Sequence, residues 1–288
     1  MRLAPISAAF KASVLVNMKS KSRFFLNFIV AAAFAVVVVA SFFSVFSVAD
    51  ITFDLSVGEN GEKYARAAAD DMEKFKGKSL LFLDMGEVEE TLAAYPYLKV
   101  NALEKKYPNA IGVSLSERRE IFLFASGADV FVLDGTGFVL AKNPSEEKPL
   151  IRLSVTDIEG NAIPASRAEA GSTLVVEDGG ILALVYTMSE IAAYTDNIAA
   201  IEVKYGAVGG EILMDKVVFH MRTGVQIWVD KVFDAGADKM KKAMECFETT
   251  RDYFKGMNFI VTSKNQETGE IEAYWTPVDP DGGQAVSP

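Results

Sequence analysis

The sequence predicts an α+β protein: a transmembrane helix near the N-terminus, a small β-α-α-β-β module, and a larger, mainly antiparallel β domain with two inserted helices. Three observations predict it. Residues 24–49 run for 26 positions without a charge. Residues 1–23 hold five basic side chains (Arg2, Lys11, Lys19, Lys21, Arg23) and no acidic one, whereas the rest carries 24 basic and 39 acidic residues, a net −15. Beyond Asp50, apolar residues recur with period two in many short runs and with helical period in four longer ones.

The uncharged run comes first. At about 1.5 Å per residue its helix reaches roughly 39 Å, more than the ~30 Å hydrocarbon core of a bilayer. Asn27, Ser41, Ser44 and Ser47 are its only hydrogen-bonding side chains, and a helix satisfies its own backbone. Basic flanks stay on the cytoplasmic side, which predicts a cytoplasmic tail over 1–23, a single span over 24–49 and an extracytoplasmic remainder. The competing reading is a cleaved signal peptide, with Ser47-Val48-Ala49 as its small-residue site. A signal core runs for only about 7–15 residues, so the anchor is preferred. The acidic remainder repels phosphate, which argues against nucleic-acid binding. Cys246 has no second cysteine to pair with, so core packing has to stabilise the outer part, and its place between Met244 and Phe247 predicts an inert buried thiol.

Residues 50–119 predict the small module. A strand over 51–57 ends at Gly58 and Asn60. Tyr64, Ala68, Met72 and Phe75 then form one stripe of a helix that stops at Gly77. Asp84 followed by Glu87 predicts a capping box opening a short helix that buries Val88 and Leu92. Strands over 98–107 and 110–117 flank Pro108-Asn109, which suit a type I turn. Ile111, Val113 and Leu115 point to one face of the second strand. Two helices beside a small sheet make an α+β module.

These residues also carry a family resemblance. Gly77-Lys-Ser-Leu-Leu-Phe-Leu-Asp84, Tyr95-Pro-Tyr-Leu-Lys-Val100, Tyr107-Pro-Asn109, Glu117-Arg118 and the Asp134-Gly135 segment stand in the order and spacing of the FtsQ/DivIB cell-division family. The close resemblance covers roughly 50–142, directly behind a single span. It implies a POTRA domain over 50–119 and a β domain over 120–275. Taken singly, each motif has a plain alternative: Pro108-Asn109 turns any hairpin, Asp84 caps any helix, and Glu117-Arg118 reads as a surface pair.

The second module alternates strands and helices. Strands are predicted over 121–125, 130–133, 138–141, 150–155, 198–205, 211–214, 217–221, 225–229, 258–262 and 270–275. Asp134-Gly135 favours a tight hairpin because glycine accepts positive φ. One helix carries Ile181, Leu184, Val185, Met188 and Ile191. A second carries Met240, Met244 and Phe247 and ends near Gly256. Residues 276–288, rich in Pro, Gly and Asp, predict a flexible tail.

Catalytic chemistry finds no footing in the sequence. His220 is the one histidine, so no His-pair metal site exists, and no Ser or Cys has a base nearby. Ser145-Glu-Glu-Lys148, Asp196-Asn197 and Arg222-Thr223-Gly224 imitate the motif set of penicillin-recognising enzymes. The first lies in an acidic loop between Pro144 and Pro149 instead of on a buried helix, so the set is rejected. We therefore expect no catalytic residue, no metal, no cofactor and no small-molecule substrate.

The resemblance implies a division protein at the septum that links and regulates septal peptidoglycan synthesis by binding FtsB (DivIC) and FtsL, with the peptidoglycan synthases as indirect partners. A tethered POTRA chaperone or transport component, or a tethered enzyme with an unrecognised site, are the alternatives. An unpaired strand edge accepts an incoming segment through its backbone. The last strand is the candidate, through Ile271, Glu272, Ala273, Tyr274 and Trp275, with the odd-numbered residues on one face and Glu272 and Tyr274 on the other; the alternative is that Tyr274 and Trp275 are simply core and rim of the domain. The resemblance places an FtsB contact in the same C-terminal region, and the POTRA face is a second candidate surface.

Overall fold

The computed structural model describes residues 27–146, 148–176, 178–254, 257–277 and 280. The basic tail over 1–23 and most of 276–288 therefore lie outside the described residues. Packing divides the chain into two units. One comprises residues up to Ser56 together with Ala65–Thr91 and Val100–Leu115; the other comprises Val57–Tyr64, Leu92–Lys99 and everything from Ser116.

In the first unit, helix α1 (Asn27–Val45) is apolar throughout and exposed on every face. Its 19 residues span about 28 Å, close to a bilayer core. The uncharged run is longer than the helix. Phe46–Ala49 leave it, and Val48 is buried in the module that follows. Val48 N donates to Lys78 O and accepts Gly77 N at its own O, both at 2.9 Å. Leu80 N donates to Phe46 O at 2.7 Å and Ala49 N to Asn109 O at 2.8 Å.

The elements that follow are β1 (Asp50–Ser56), α2 (Glu59–Met72), α3 (Met85–Ala93), β2 (Leu98–Lys106) and β3 (Ala110–Glu117), and β3 is the middle strand of a three-stranded sheet. This is the β-α-α-β-β order the motifs imply. Ala68, Met72 and Phe75 are buried as their spacing predicts, as are Ile111, Val113 and Leu115 on β3. Asp84 does cap α3, accepting Gly86 N at 2.8 Å, but Glu87 does not close a capping box. Its carboxylate takes Lys78 Nζ at 2.9 Å instead. The Tyr107-Pro108 peptide is cis, so this turn departs from a plain type I geometry.

The second unit holds a nine-stranded sheet of order β12-β11-β10-β9-β8-β7-β4-β5-β6. Its strands are β4 (Phe122–Ser126), β5 (Asp129–Leu133), β6 (Val139–Lys142), β7 (Ile151–Thr156), β8 (Ile198–Val208), β9 (Glu211–Met221), β10 (Gln226–Asp230), β11 (Phe259–Lys264) and β12 (Ile271–Thr276). Helices α4 (Asp178–Ile191) and α5 (Gly236–Thr250) touch each other and cover one sheet face. The inserted helices explain a feature that periodicity could not reveal. Each is the crossover of a β-α-β unit, so β7 and β8 pair in parallel, as do β10 and β11. β4 and β7 also run parallel, and the other neighbouring pairs are antiparallel.

Two sequence expectations are corrected here. Residues 211–214 and 217–221 form one strand, because Asp215 and Lys216 continue the ladder opposite Tyr205 and Lys204. Val185, placed on the buried stripe of α4, is 43% exposed. The core between helices and sheet contains Phe122, Phe124, Ile201, Phe219, Ile227, Met244 and Phe247, all nearly inaccessible.

The other sheet face carries polar side chains. Lys204 and Lys216 lie over the ring of Trp228, at 5.4 and 4.6 Å from its centroid. Both distances are from the ammonium nitrogens, so the indole face receives two cations in a cation–π arrangement. Beside them His220 Nε2 stands 3.9 Å from Glu202 Oε2. The neighbouring His220 ring holds the Glu202 carboxyl below the usual range, against the opposing effect of burial and with help from Lys204 and Thr156. A carboxyl depressed in the folded state contributes stability that is present above its unfolded pKa and lost as pH falls through the folded one. His220→Ala is therefore expected to lower the urea midpoint at about pH 5, and to lose that effect below the ordinary glutamate range near about 4.

Candidate partner-binding edge

A sheet has two ends, and this one treats them differently. At the β6 end the chain folds back on itself: Val139 N donates to Ser172 O at 2.8 Å, Gly171 N to Val139 O at 2.9 Å and Leu174 N to Gly137 O at 2.9 Å. Segment 171–174 thus occupies that edge. At the other end β12 pairs with β11 from Ile271 opposite Lys264 to Thr276 opposite Phe259, and among the described residues no further strand pairs with β12. The last strand expected from the sequence is an edge strand, with an open row of backbone donors and acceptors.

The side chains on β12 follow the expected alternation. Ala273 and Trp275 pack against the core, while Glu272 and Tyr274 face water, Tyr274 with half its surface exposed. Trp275 is a structural residue with an outer rim. Its Nε1 donates to Thr250 Oγ1 at 2.7 Å and its ring stacks on Phe254 at 5.7 Å. Sequence reasoning missed this buttress, because Thr250 and Phe254 come from the end of α5, and the helix stops at Thr250 instead of near Gly256. It also missed Tyr253, 84% exposed in the same stretch. Cys246 sits beneath, half-buried, with Sγ 3.7 Å from both Ala273 O and Thr250 Oγ1. An aromatic rim of Tyr253, Phe254, Tyr274 and Trp275 therefore accompanies the open edge.

The motif residues make a second cluster within the same unit. Glu117 and Arg118 do not pair with each other. Glu117 Oε2 accepts Gly58 N at 2.7 Å, placing a carboxylate at the N-terminus of α2, where the helix dipole favours it. A Cβ at Gly61 would come within 2.8 Å of the same oxygen and 2.9 Å of Val57 Cβ, so a side chain there would displace the Glu117 carboxylate or crowd Val57. Arg118 Nη1 donates to Asp134 Oδ2 at 2.6 Å, and its guanidinium lies 3.9 Å from the centre of the Phe138 ring. Asp134 is 5% exposed and also accepts Thr136 N, Thr136 Oγ1 and Phe138 N through Oδ1. The residue with positive φ in that turn is Gly137, at 79°, and not Gly135 as Asp134-Gly135 suggested.

Tyr97 completes the cluster. Its ring stacks on Tyr64 at 4.7 Å, its carbonyl accepts Arg118 N, and its hydroxyl donates to Glu120 Oε1 at 2.7 Å. Burial first, then the neighbouring Glu120 carboxylate, push the phenol well above its usual range. Lys148 Nζ is held by Glu120 Oε2 at 2.7 Å, so the lysine of the penicillin-enzyme imitation is committed to an ion pair. Of the other imitation residues, Arg222 Nε donates to the Asp196 carbonyl at 3.1 Å. No group of three or more His, Cys, Asp or Glu side chains suited to a metal occurs among the described residues.

No family model matches the chain. A curated relative, cell division protein DivIB of Clostridium acetobutylicum, is 29% identical over 65 residues. This match supports the resemblance to the FtsQ/DivIB family that the motif set carries. The likeness is modest: the match takes in 23% of this chain and 26% of that relative, so the chain covers about a quarter of the relative's length. A solved FtsQ/DivIB structure, the major extracytoplasmic domain of the trans isomer of DivIB from Geobacillus stearothermophilus, aligns with 49% of this chain and 99% of that domain. Identity there is 17% and the TM-score 0.28, too loose for residue-by-residue transfer.

Proposed function

We propose that this protein is a membrane-anchored, non-enzymatic cell-division protein of the septum that docks a partner's extended segment on β12 outside the cytoplasm. The observation carrying the proposal is the open strand edge at Ile271–Trp275, with Tyr274 half-exposed beside it. In this reading 1–23 is the cytoplasmic tail, 24–49 contains the anchor, and 50–119 and 120–275 are the POTRA and β domains. The bonds that tie Val48 to Gly77 and Lys78 support an anchor over a cleaved signal, since they make the supposed cleavage site part of the folded module. FtsB/DivIC and FtsL are the partners, through which the protein regulates the septal peptidoglycan synthases.

The backbone of β12 supplies affinity that is indifferent to sequence, and Tyr274 with Glu272 supplies selectivity on the outward face. Tyr274→Ala is expected to leave the unfolding midpoint unchanged and to weaken capture of the purified FtsB/DivIC-type partner by about 2 kcal/mol, roughly 30-fold. Undiminished capture by the folded variant would remove β12 from consideration. A fluorescently tagged copy is expected to form a mid-cell ring in dividing cells. Uniform membrane staining would contradict the division role.

A further inference from the structure

The aromatic residues around the end of α1 have no place in partner docking. Phe42, Phe43 and Phe46 stand at the last turn and exit of the helix, with Phe42 and Phe46 at 4.7 Å. Two rings from the folded module meet them: Phe82 lies 6.1 Å from Phe43, and Tyr107 lies 6.4 Å from Phe46. Phe82 is 76% exposed and Tyr107 60% exposed, although neither sits in a strand or helix that would force it outward. A soluble domain gains nothing by presenting two such rings to water.

The linkage explains them. Between the last helical residue, Val45, and the clamped Val48 only two residues intervene, and Phe46 is itself bonded through its carbonyl to Leu80. The chain leaves the helix without slack. Phe43 lies two residues inside the helix end, about 3 Å below it. The described 19 residues of α1 reach about 28 Å, so in a span of that length Val45 stands near the boundary of a ~30 Å hydrocarbon core. Phe82, with its ring centred 6.1 Å from that of Phe43, is then within reach of the headgroup layer. Aromatic side chains favour that depth, where an apolar body meets lipid and a polar tip meets water.

We propose that the loop carrying Phe82 and the turn carrying Tyr107 insert into the phospholipid interface of the membrane that α1 crosses, so the first module is seated on the bilayer and does not swing from its helix. The proposal rests on reading α1 as a span. The occupant is lipid, because these rings meet Phe43 and Phe46 at the end of a helix that lipid must already surround.

The test uses the full chain in phosphatidylethanolamine–phosphatidylglycerol vesicles. Phe82→Cys, Tyr107→Cys and, as a control, Asp54→Cys are each made in a Cys246→Ala background and labelled with an environment-sensitive fluorophore. Asp54 is exposed and four residues along β1 from Asp50, about 13 Å farther out. Emission at 82 and 107 is expected to shift to the blue and to be quenched several-fold more strongly than at 54 by lipids spin-labelled near the headgroup. A photoactivatable lipid should also crosslink the unaltered chain within residues 79–83, a readout that needs no substitution. Probes at 82 and 107 as aqueous as the one at 54, in a chain that resists carbonate extraction, would overturn the proposal alone. Release of the chain by carbonate would overturn the span and the proposal together. Quenching that appears only after a division partner is added would also overturn it, by assigning the rings to protein.

Discussion

Arg118→Ala is expected to lower the stability of the second unit by about 3 kcal/mol, the low end for breaking a buried ion pair. The cost arises at Asp134, 5% exposed, whose carboxylate loses its only cationic contact at 2.6 Å. Three donors from Thr136 and Phe138 remain on the other oxygen, which is why the loss is not larger. Packing falls too, because the guanidinium covers the Phe138 ring. Lysine should rescue poorly, since a point charge on a flexible stem neither stacks nor forks. Adding Asp134→Asn to Arg118→Ala should recover part of the loss by removing the stranded charge. Both tryptophans, Trp228 and Trp275, lie in the second unit, so fluorescence during urea unfolding reports on it directly. A shift below about 1 kcal/mol would mean that Arg118 behaves as a surface residue.

Phe219→Ala should cost about 3–5 kcal/mol, the range for emptying a large buried aromatic site. Phe219 lies in the C-terminal half of β9, in register with Ile201 on β8 and Ile227 on β10, beneath α4 and α5. Its neighbours belong to both β-α-β units, so relaxation from one side cannot refill the space. The fluorescence-monitored midpoint should fall with little change in slope, as expected when stability changes and compactness does not. Leu213→Ala is the control from the same strand: Leu213 is 58% exposed, and its loss should stay within about 0.5 kcal/mol.

These two residues also mark where the sequence was legible. Phe219 sits in the apolar run Val217–Met221 read as a strand, and such a run is enough to place it in a core whatever its neighbours are. Helices α2 and α5 were readable for the same reason, through stripes such as Met240, Met244 and Phe247. Arg118 was readable only as part of a motif. Its partner is 16 residues away across a turn, and Glu117 caps a helix 59 residues earlier, with no local pattern to announce either. β9 was broken in two because Asp215 and Lys216 look like turn residues. In the fold Lys216 lies on the Trp228 ring on the open sheet face, and Asp215 accepts Phe233 N at 3.1 Å. The candidate edge was legible in part: the final strand and its alternation could be read, but not the end of α5 that holds Trp275. Parallel pairing could not be read, since it depends on where a crossover lands.

The sealed β6 end has a consequence for assembly. A sheet open along both edges can be extended by copy after copy, whereas here residues 171–174 already bond to Gly137 and Val139 at the start of β6, and β12 is the open edge among the described residues. Two copies apposing β12 to β12 about a two-fold axis would form a closed pair. Under the docking role proposed for β12, such a pair would occupy the strand offered to a partner, so self-association and docking through that edge exclude each other.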